Sequence, residues 1–195
     1  MRAEKHAGLF TGGWYRHAAH RPSPHADPRP TGTPIDLLVI HAISLPPGTF
    51  GGTCIDALFL GTLDVDAHPA LAGLRGLRVS SHFLIHRDGR LVQYVSCDAR
   101  AWHAGESRFE DRTRCNDFSI GIELEGSDQV PFEPAQYDTL AGVTQALVEA
   151  YPLRSVAGHA DIAPQRKTDP GPCFDWECLQ RAAGLPDSAF PFVTR

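Results

Sequence analysis

The sequence lacks the segments by which proteins enter or cross membranes. Its N-terminal stretch, MRAEKHAGLFTGGWYRHAAH, collects no apolar run of the kind that forms a secretory signal. No later stretch approaches the roughly 20 apolar residues that a membrane-spanning helix needs. We therefore expect a cytoplasmic protein that has no membrane partner.

Long blocks of like charge are missing as well. The 23 acidic and 18 basic residues give a formal net charge of −5, and the two signs are interspersed along the chain. The sequence therefore does not indicate a basic surface for nucleic acid. It also contains no segment that indicates an obligatory protein partner, so any cationic site is expected to be local.

The sequence has no paired cysteine framework and no common zinc-peptidase motif. The five cysteines are odd in number and widely scattered, which favours reduced thiols over a disulfide framework or a cysteine-ligated zinc knuckle. The helical motif His-Glu-x-x-His, on which many zinc peptidases bind their metal, does not occur. Other residue types must therefore build the functional site.

The overall composition of the chain is that of one globular domain. The 195 residues are 42% hydrophobic and 21% charged, and a chain of this size buries roughly 70% of its unfolded surface in one core. Residues 1–33 are rich in proline, glycine and histidine, which predicts an extended lead-in. The folded domain is expected to cover residues 34–195.

Two early segments have the patterns of β-structure. Residues 35–40 (IDLLVI) form a short apolar run typical of a strand that is buried on both faces, and His41 follows at its carboxyl end. Residues 82–96 predict a hairpin, because two alternating runs flank an Asp-Gly dipeptide that suits a tight turn. Residues 55–63 fit a helical turn or a short helix.

The second half of the chain alternates strand and helix patterns. In Ser119–Glu125 the apolar side chains fall on one face, so Glu123 and Glu125 share the other. Pro134–Ala150 has helical spacing of its apolar residues, and a short helix is expected over Trp176–Ala183. This order of strands and helices along the chain predicts an α/β fold, with a single domain in which a central mixed β-sheet is flanked by helices.

Three side chains are candidates for a metal site. Zinc hydrolases bind the ion through imidazole or carboxylate ligands at roughly 2.0–2.2 Å and leave one position open for water. His41 ends a predicted strand, whereas His159 and Asp169 lie on one Gly/Pro-rich segment, GHADIAPQRKTDPGP, that we expect to be an irregular loop closing on the site. From spacing alone, purely structural roles remain the alternative.

Hydrolysis also needs a base that accepts a proton from the attacking water. Glu123 and Glu125 are both candidates, because they share one strand face about 7 Å apart. The alternative is that both are solvated carboxylates on an edge strand.

Four blocks of the sequence resemble, in the same order, motifs of one known family. HAISLPPG, RAWHAG, NDFSIGIELEG and GHADIAPQRKTDPGP are similar to motifs of the cytoplasmic 1,6-anhydro-N-acetylmuramyl-L-alanine amidases known as AmpD, and the similarity covers residues 22–176. The resemblance implies an amidase/peptidoglycan-recognition-protein-like fold. It also implies hydrolysis of the amide bond between the lactyl group of anhydro-N-acetylmuramic acid and L-alanine, in the cytoplasmic recycling of peptidoglycan. The implied substrate is an anhydromuropeptide, and the implied cofactor is one Zn²⁺ per chain.

The resemblance also implies roles for individual residues. The family's zinc ligands fall on His41, His159 and Asp169, and its strand carboxylate falls on Glu123. Its loop lysine, two residues before the carboxylate ligand, falls on Lys167. In this reading Glu123 is the general base, and Lys167 stabilises the oxyanion that develops on the carbonyl.

Substrate contacts are expected for four further residues. Arg78 and Arg114 match arginines that face the stem peptide, whose carboxylates suit guanidinium groups. The RAWHAG block would place Trp102 against the sugar, and His103 beside it is a further possible contact. The alternatives are solvated arginines and a core tryptophan. One departure from the family is Ala42, where asparagine is usual.

Two other functions share this pattern. Recognition proteins of this fold that have lost a zinc ligand bind muropeptides without cleaving them. This sequence retains a ligand residue at all three positions, which argues against that function. A lysin amidase that degrades intact murein would use the same chemistry. The AmpD-type blocks favour a soluble anhydromuropeptide.

Overall fold

The computed structural model describes residues 8–193, and it contains one mixed β-sheet with helices on its faces. The strands are β1 (Phe10–Thr11), β2 (Trp14–Tyr15), β3 (Ala19–His20), β4 (Ala26–Pro28), β5 (Leu37–Ile43), β6 (Phe83–Ile85), β7 (Leu91–Gln93), β8 (Ala99–Ala101), β9 (Arg108–Phe109), β10 (Arg112–Thr113), β11 (Ser119–Glu125) and β12 (Ser155–Gly158). The helices are α1 (Cys54–Phe59), α2 (Pro134–Ala150), α3 (His159–Ile162) and α4 (Trp176–Ala183), with 3₁₀ turns at Pro69–Leu74, Cys115–Asp117 and Asp187–Ala189.

Six strands form the central sheet in the order β12-β5-β11-β6-β7-β3. The first four are mutually parallel, whereas β7 runs antiparallel to β6 in the predicted hairpin. The turn of that hairpin places Gly89 at φ +81°, a conformation that favours glycine. The predicted α/β fold with a mixed sheet is therefore confirmed.

No helix within residues 8–193 is long and apolar enough to cross a membrane.

Strand β11 alternates as its sequence predicts, and β5 is buried on both faces as predicted. Ile120, Ile122 and Leu124 of β11 pack with α2 in the main core, and their neighbours on the strand face the other way. β11 has a partner on each side, so the alternative of solvated carboxylates on an edge strand does not hold. β5 extends to Ile43, which puts His41 inside the strand and not at its end, because pairing with β11 continues through that residue.

Helix α2 has the bounds that its sequence indicates. Pro134 occupies the first turn, where a missing N–H is tolerated. The buried Gln136 amide donates to the carbonyls of Ile85 and Glu125 at 3.2 and 3.1 Å. The helix is thereby fixed to the carboxyl ends of β6 and β11. Helix α4 also has its predicted bounds, and it packs on the same core.

The segment 158–172 is more regular than expected. β12 pairs with β5 and continues to Gly158, and α3 begins at the next residue. The Asp161 carboxylate accepts a hydrogen bond from the Gly158 N–H at 2.7 Å, which stabilises this first helical turn. A Cβ on Gly158 would lie 2.9 Å from Pro170, so glycine lets the chain fold back here. His159 is therefore positioned by a helical turn.

Residues 8–33, expected as an extended lead-in that precedes the folded domain, pack onto it. Leu9 and Tyr15 belong to the main core. β3 pairs with β7 at the edge of the sheet, and β4 pairs with β8. Residues 1–7 of the predicted lead-in lie outside the described residues.

Candidate active site

The candidate site lies at the carboxyl edge of the parallel strands. His41 is on β5, Glu123 is on β11, and His159 directly follows β12. The next segment of chain folds back, and the Asp169 carbonyl accepts a hydrogen bond from the Ala160 N–H at 2.8 Å. Open α/β sheets present ligand sites at this edge, because the carboxyl ends of parallel strands meet there. The topology thus assembles groups that are far apart in sequence.

Three electron-pair donors converge at the centre of this edge. The Nδ1 atoms of His41 and His159 are 3.0 Å apart, and each lies 3.1 Å from the Asp169 Oδ2. Within residues 8–193 these form the one group of His, Cys, Asp or Glu side chains arranged to hold a metal ion. A tetrahedral zinc ion with ligands at about 2.0–2.1 Å separates its ligand atoms by roughly 3.3 Å. The spacing fits such an ion.

The positions of the ring protons on His41 and His159 also suit the binding of a cation. The His159 Nε2 lies 3.2 Å from the Ala104 carbonyl, which can only accept, so we assign the ring proton to Nε2 and a lone pair to Nδ1. Burial lowers the pKa of His41 to about 4, so this imidazole is neutral near pH 7. Neutral imidazoles that face a carboxylate are the form in which these side chains bind zinc.

Glu123 lies beside the three donors. Its Oε1 is 4.0 Å from the His41 Nδ1, and its buried Oε2 has no hydrogen-bond partner in the described part of the chain. Burial raises the pKa of Glu123 well above its usual range, and the negative charge of Asp169 adds to this effect. A carboxylate that takes up a proton readily, next to a metal site, suits a general base.

Glu125 has different surroundings, although it is on the same strand face. Its Oε1 accepts from the Gly51 N–H at 2.6 Å, and its Oε2 accepts from the Arg87 N–H at 3.1 Å. These bonds attach the loop after β5 and the β6–β7 hairpin to β11. Glu125 is therefore a structural group, which favours Glu123 as the base.

Two adjoining cavities reach the candidate site, and Asp169 lines both of them. One has a volume of about 250 Å³ and an apolar wall, and it is lined by Glu123, His159, Asp169, Trp102 and several aliphatic side chains. The other, of about 560 Å³, is lined by more polar groups from residues 42–48, 126–129 and 166–169. The exposed Lys167 borders both cavities. Ala42 also borders both, so its small side chain leaves room where they meet.

The sequence matches a family that fits this arrangement. A family model described as N-acetylmuramoyl-L-alanine amidase (Amidase_2) covers residues 31–172. The chain belongs to this amidase family. It is 59% identical over 170 residues to the 1,6-anhydro-N-acetylmuramyl-L-alanine amidase AmpD of Escherichia coli (strain K12), a match that covers 86% of this chain and 93% of the relative. The family resemblance seen in the sequence is thereby confirmed.

Solved structures agree with the fold of this amidase. A crystal structure of a selenomethionine AmpD derivative superposes with a TM-score of 0.87 at 57% identity, covering 89% of this chain and 98% of that one. The amidase AmiD from E. coli, solved in complex with the substrate anhydro-N-acetylmuramic acid-L-Ala-D-γ-Glu-L-Lys, gives a TM-score of 0.57 at 37% identity and covers 85% of this chain and 61% of that one.

Trp102 forms part of the apolar cavity wall in this amidase, and its ring is held in place. Its Nε1–H donates to Asp27 at 3.1 Å, and its ring stacks on His25 with centroids 5.9 Å apart. The exposed guanidinium of Arg78 lies 5.2 Å from the ring centroid. The structure therefore brings Arg78 onto the ring of Trp102, whereas Arg78 itself lines neither of the two cavities. Asp27 was missed because it lies in the presumed lead-in, where the sequence gives no signal.

The other two predicted substrate residues differ in their positions, because His103 lines the smaller cavity and Arg114 lines neither. His103 is buried, and its Nδ1 is 2.9 Å from the His41 Nε2. Arg114 is exposed outside the two cavities, in a left-handed conformation with φ 62°, and its Nε pairs with Asp117 at 3.3 Å. Asn116, which sequence reasoning missed, accepts two backbone hydrogen bonds beneath His103. Its only signal was its place within the NDFSIGIELEG block.

Proposed function

We propose that this chain is a zinc-dependent amidase of cytoplasmic peptidoglycan recycling. Its substrate would be a soluble anhydromuropeptide, cleaved at the amide bond between the lactyl group of 1,6-anhydro-N-acetylmuramic acid and L-alanine. His41, His159 and Asp169 would hold one Zn²⁺ per chain. The observation that carries this proposal is the convergence of three electron-pair donors beside the buried, unpartnered Oε2 of Glu123.

The chain's own residues supply the proton transfers in this reaction. Bound zinc would act as a Lewis acid toward water and the scissile carbonyl. Glu123 accepts a proton from the attacking water at its carboxylate, which burial makes more basic. Glu123 then returns this proton to the nitrogen of the departing L-alanine. Because it is buried on a central strand, it stays in place between the two transfers.

Lys167 supplies positive charge to the same cavity. It is two residues from Asp169 on the chain, and both line the cavity that contains Glu123. Its ammonium group can stabilise the negative charge that develops on the carbonyl oxygen during attack. This interaction is stronger in the transition state than in the ground state, so it accelerates the reaction.

The wall of the smaller cavity suits a sugar and a peptide carboxylate. We assign Trp102 to the anhydro-sugar, since its ring is fixed and lies against an apolar surface. We assign Arg78 to a carboxylate of the stem peptide, since its guanidinium is exposed beside that ring. Arg114 is a more peripheral candidate for a second carboxylate. The AmiD complex supports this substrate class through a relative.

Product analysis tests the proposal. Purified protein, stripped of metal and then reloaded with zinc, is incubated with anhydro-N-acetylmuramyl-tripeptide, and the products are identified by mass spectrometry. Release of free tripeptide and anhydro-N-acetylmuramic acid only by the reloaded protein supports the proposal. Binding without cleavage would identify a non-catalytic muropeptide-binding protein. Equal or faster release of peptides from intact murein would identify a lysin amidase.

A further inference from the structure

A continuous chain of hydrogen bonds leads from the protein interior to the first candidate ligand. The Ser119 hydroxyl lies 2.6 Å from the Cys115 carbonyl, and a carbonyl can only accept, so the hydroxyl donates to it. The Ser119 oxygen is then left to accept from the His103 Nε2–H at 3.2 Å. In a neutral imidazole the other nitrogen of His103, Nδ1, becomes an acceptor.

This acceptor fixes the orientation of His41. The His103 Nδ1 lies 2.9 Å from the His41 Nε2, so His41 carries its proton on Nε2 and donates it to His103. The His41 Nδ1 consequently presents a lone pair to His159 and Asp169. The buried Ser119 and His103 thereby specify the ligand atom of His41.

The residue after His103 does the same for the second candidate ligand. The Ala104 carbonyl lies 3.2 Å from the His159 Nε2, so it selects the same tautomer there. Both ligand histidines are therefore oriented through Nε2 by two consecutive residues. Asn116 holds this pair in place, because its Oδ1 accepts from the His103 N–H at 3.1 Å and from the Ala104 N–H at 2.8 Å.

Gly121 provides the space that this arrangement needs. A Cβ at this position would lie 2.6 Å from the Cγ and Nδ1 atoms of His103. Gly121 is on β11, two residues before Glu123, and its backbone φ is not in the left-handed region. The absence of a side chain is therefore required for the close approach of the imidazole.

We propose that His103 and Ala104, held by Asn116, form a collar that positions both metal ligands, His41 and His159, in one tautomer before the metal binds. The collar consists of the His103 side chain, the Ala104 carbonyl and the Asn116 side chain. This inference rests on the proposed zinc site, and it replaces the expected substrate contact of His103 with a positioning role. Partners of this kind typically change metal affinity by about 10–100-fold when they are removed.

Zinc affinity of two variants at one position separates positioning from packing. His103→Leu fills much of the space but removes the acceptor, so its zinc dissociation constant, measured by competition with a chelating dye, should rise by about 10–100-fold. His103→Asn keeps an oxygen near the place of Nδ1 and should retain most of the wild-type affinity. A role in packing alone predicts the opposite order, because leucine suits a buried site better than asparagine.

Asn116 gives an independent pair of variants. Asn116→Ala removes the oxygen that holds both backbone N–H groups, so zinc affinity should fall, whereas Asn116→Asp keeps that oxygen. His86→Leu is the control, because it removes another buried imidazole that lies beside Glu125 and away from the candidate ligands. Its zinc affinity should stay unchanged even if its melting temperature falls.

The metal-free protein provides a readout that does not depend on zinc. Nitrogen-15 NMR of histidine-labelled wild-type protein should show His41 and His159 protonated at Nε2, and His103→Leu should give a mixture of tautomers at His41. Unchanged zinc affinity in His103→Leu, or a proton on the His41 Nδ1 of the wild type, would overturn the inference. A wild-type protein with the expected tautomers that binds no zinc would contradict the proposed function instead.

Discussion

Glu123 lies directly opposite His41 in the parallel pairing of β11 with β5, and its Oε1 is 4.0 Å from the His41 Nδ1. The proposed base and one proposed metal ligand are therefore carried by adjacent central strands, whose backbones are hydrogen-bonded to each other. We expect that one side chain can be replaced without moving the other, because both lie on paired central strands. Kinetic and metal-binding effects at this site are thus separable by mutation.

Glu123→Gln is expected to lower kcat by about 10²–10⁴-fold, since it removes the proton acceptor and keeps the size of the side chain. Zinc content and melting temperature should stay close to those of the wild type, because Glu123 is not one of the three convergent donors. Steady-state kinetics, metal analysis and thermal unfolding of the same sample check this expectation. Loss of zinc from the variant would show that Glu123 acts as a ligand.

Glu125→Ala is expected to act on stability more than on chemistry. It removes the carboxylate that accepts from the N–H groups of Gly51 and Arg87, and hydrogen bonds to a charged group contribute roughly 1.5–3 kcal/mol. Urea denaturation measures the free energy of unfolding, and kcat of the remaining folded protein is compared with that of Glu123→Gln. A larger loss of kcat in the Glu125 variant would reverse our choice of base.

His159→Ala is expected to reduce zinc binding below one ion per chain, because it removes one of three convergent donors. His17→Ala, which removes an exposed imidazole in the N-terminal part of the chain, serves as the control. Elemental analysis after dialysis against zinc-free buffer gives the metal content of both. Undiminished zinc in the His159 variant would count against the ligand assignment.

Lys167→Ala is expected to lower kcat by about 10²–10³-fold with little change in KM, because its charge acts on the transition state. Lys167→Arg keeps a cation and should recover part of this loss. If Lys167 merely holds the loop that carries Asp169, its removal would lower zinc content or melting temperature instead. Both quantities are measured on the sample used for kinetics.

Gly121→Ala and Gly142→Ala form a matched pair with opposite expected effects on stability. The first places a Cβ 2.6 Å from the His103 ring, and such overpacking typically costs about 1–3 kcal/mol. The second adds a Cβ within α2 that meets no atom within 4 Å of the described structure, which stabilises a helix by about 0.5–1 kcal/mol. Urea unfolding compares the two. Equal free energies of unfolding for the two variants would show that the His103 ring moves aside without a loss of stability.

Segments with a long, regular pattern were predicted with accurate bounds. Ser119–Glu125 and Pro134–Ala150 have the bounds that alternation and helical spacing indicate. β12, by contrast, has four residues with no distinctive pattern, and it forms because β5 offers an unpaired edge. The helical turn at His159 was also missed, since it depends on a local hydrogen bond to Gly158 that composition does not reveal.

For the candidate site, the sequence predicted which residues take part, but it did not predict their surroundings. The motif resemblance was enough to name His41, His159 and Asp169, which the structure brings together. It did not distinguish the surroundings of Glu123 and Glu125, because these depend on which loops reach each carboxylate. Nor did it reveal the collar, which requires residues from several segments to meet in space.

Arg29 attaches the N-terminal part of the chain to segments that pack beside the candidate site. Its guanidinium donates to the carbonyls of Cys97, Asn116, Asp117 and Ser119, at 2.8–3.2 Å. The match to the family model begins only at residue 31. A fragment cut at that point would leave four acceptors around the collar without their shared donor. The boundary of the family model therefore separates Arg29 from the hydrogen-bond acceptors that it serves.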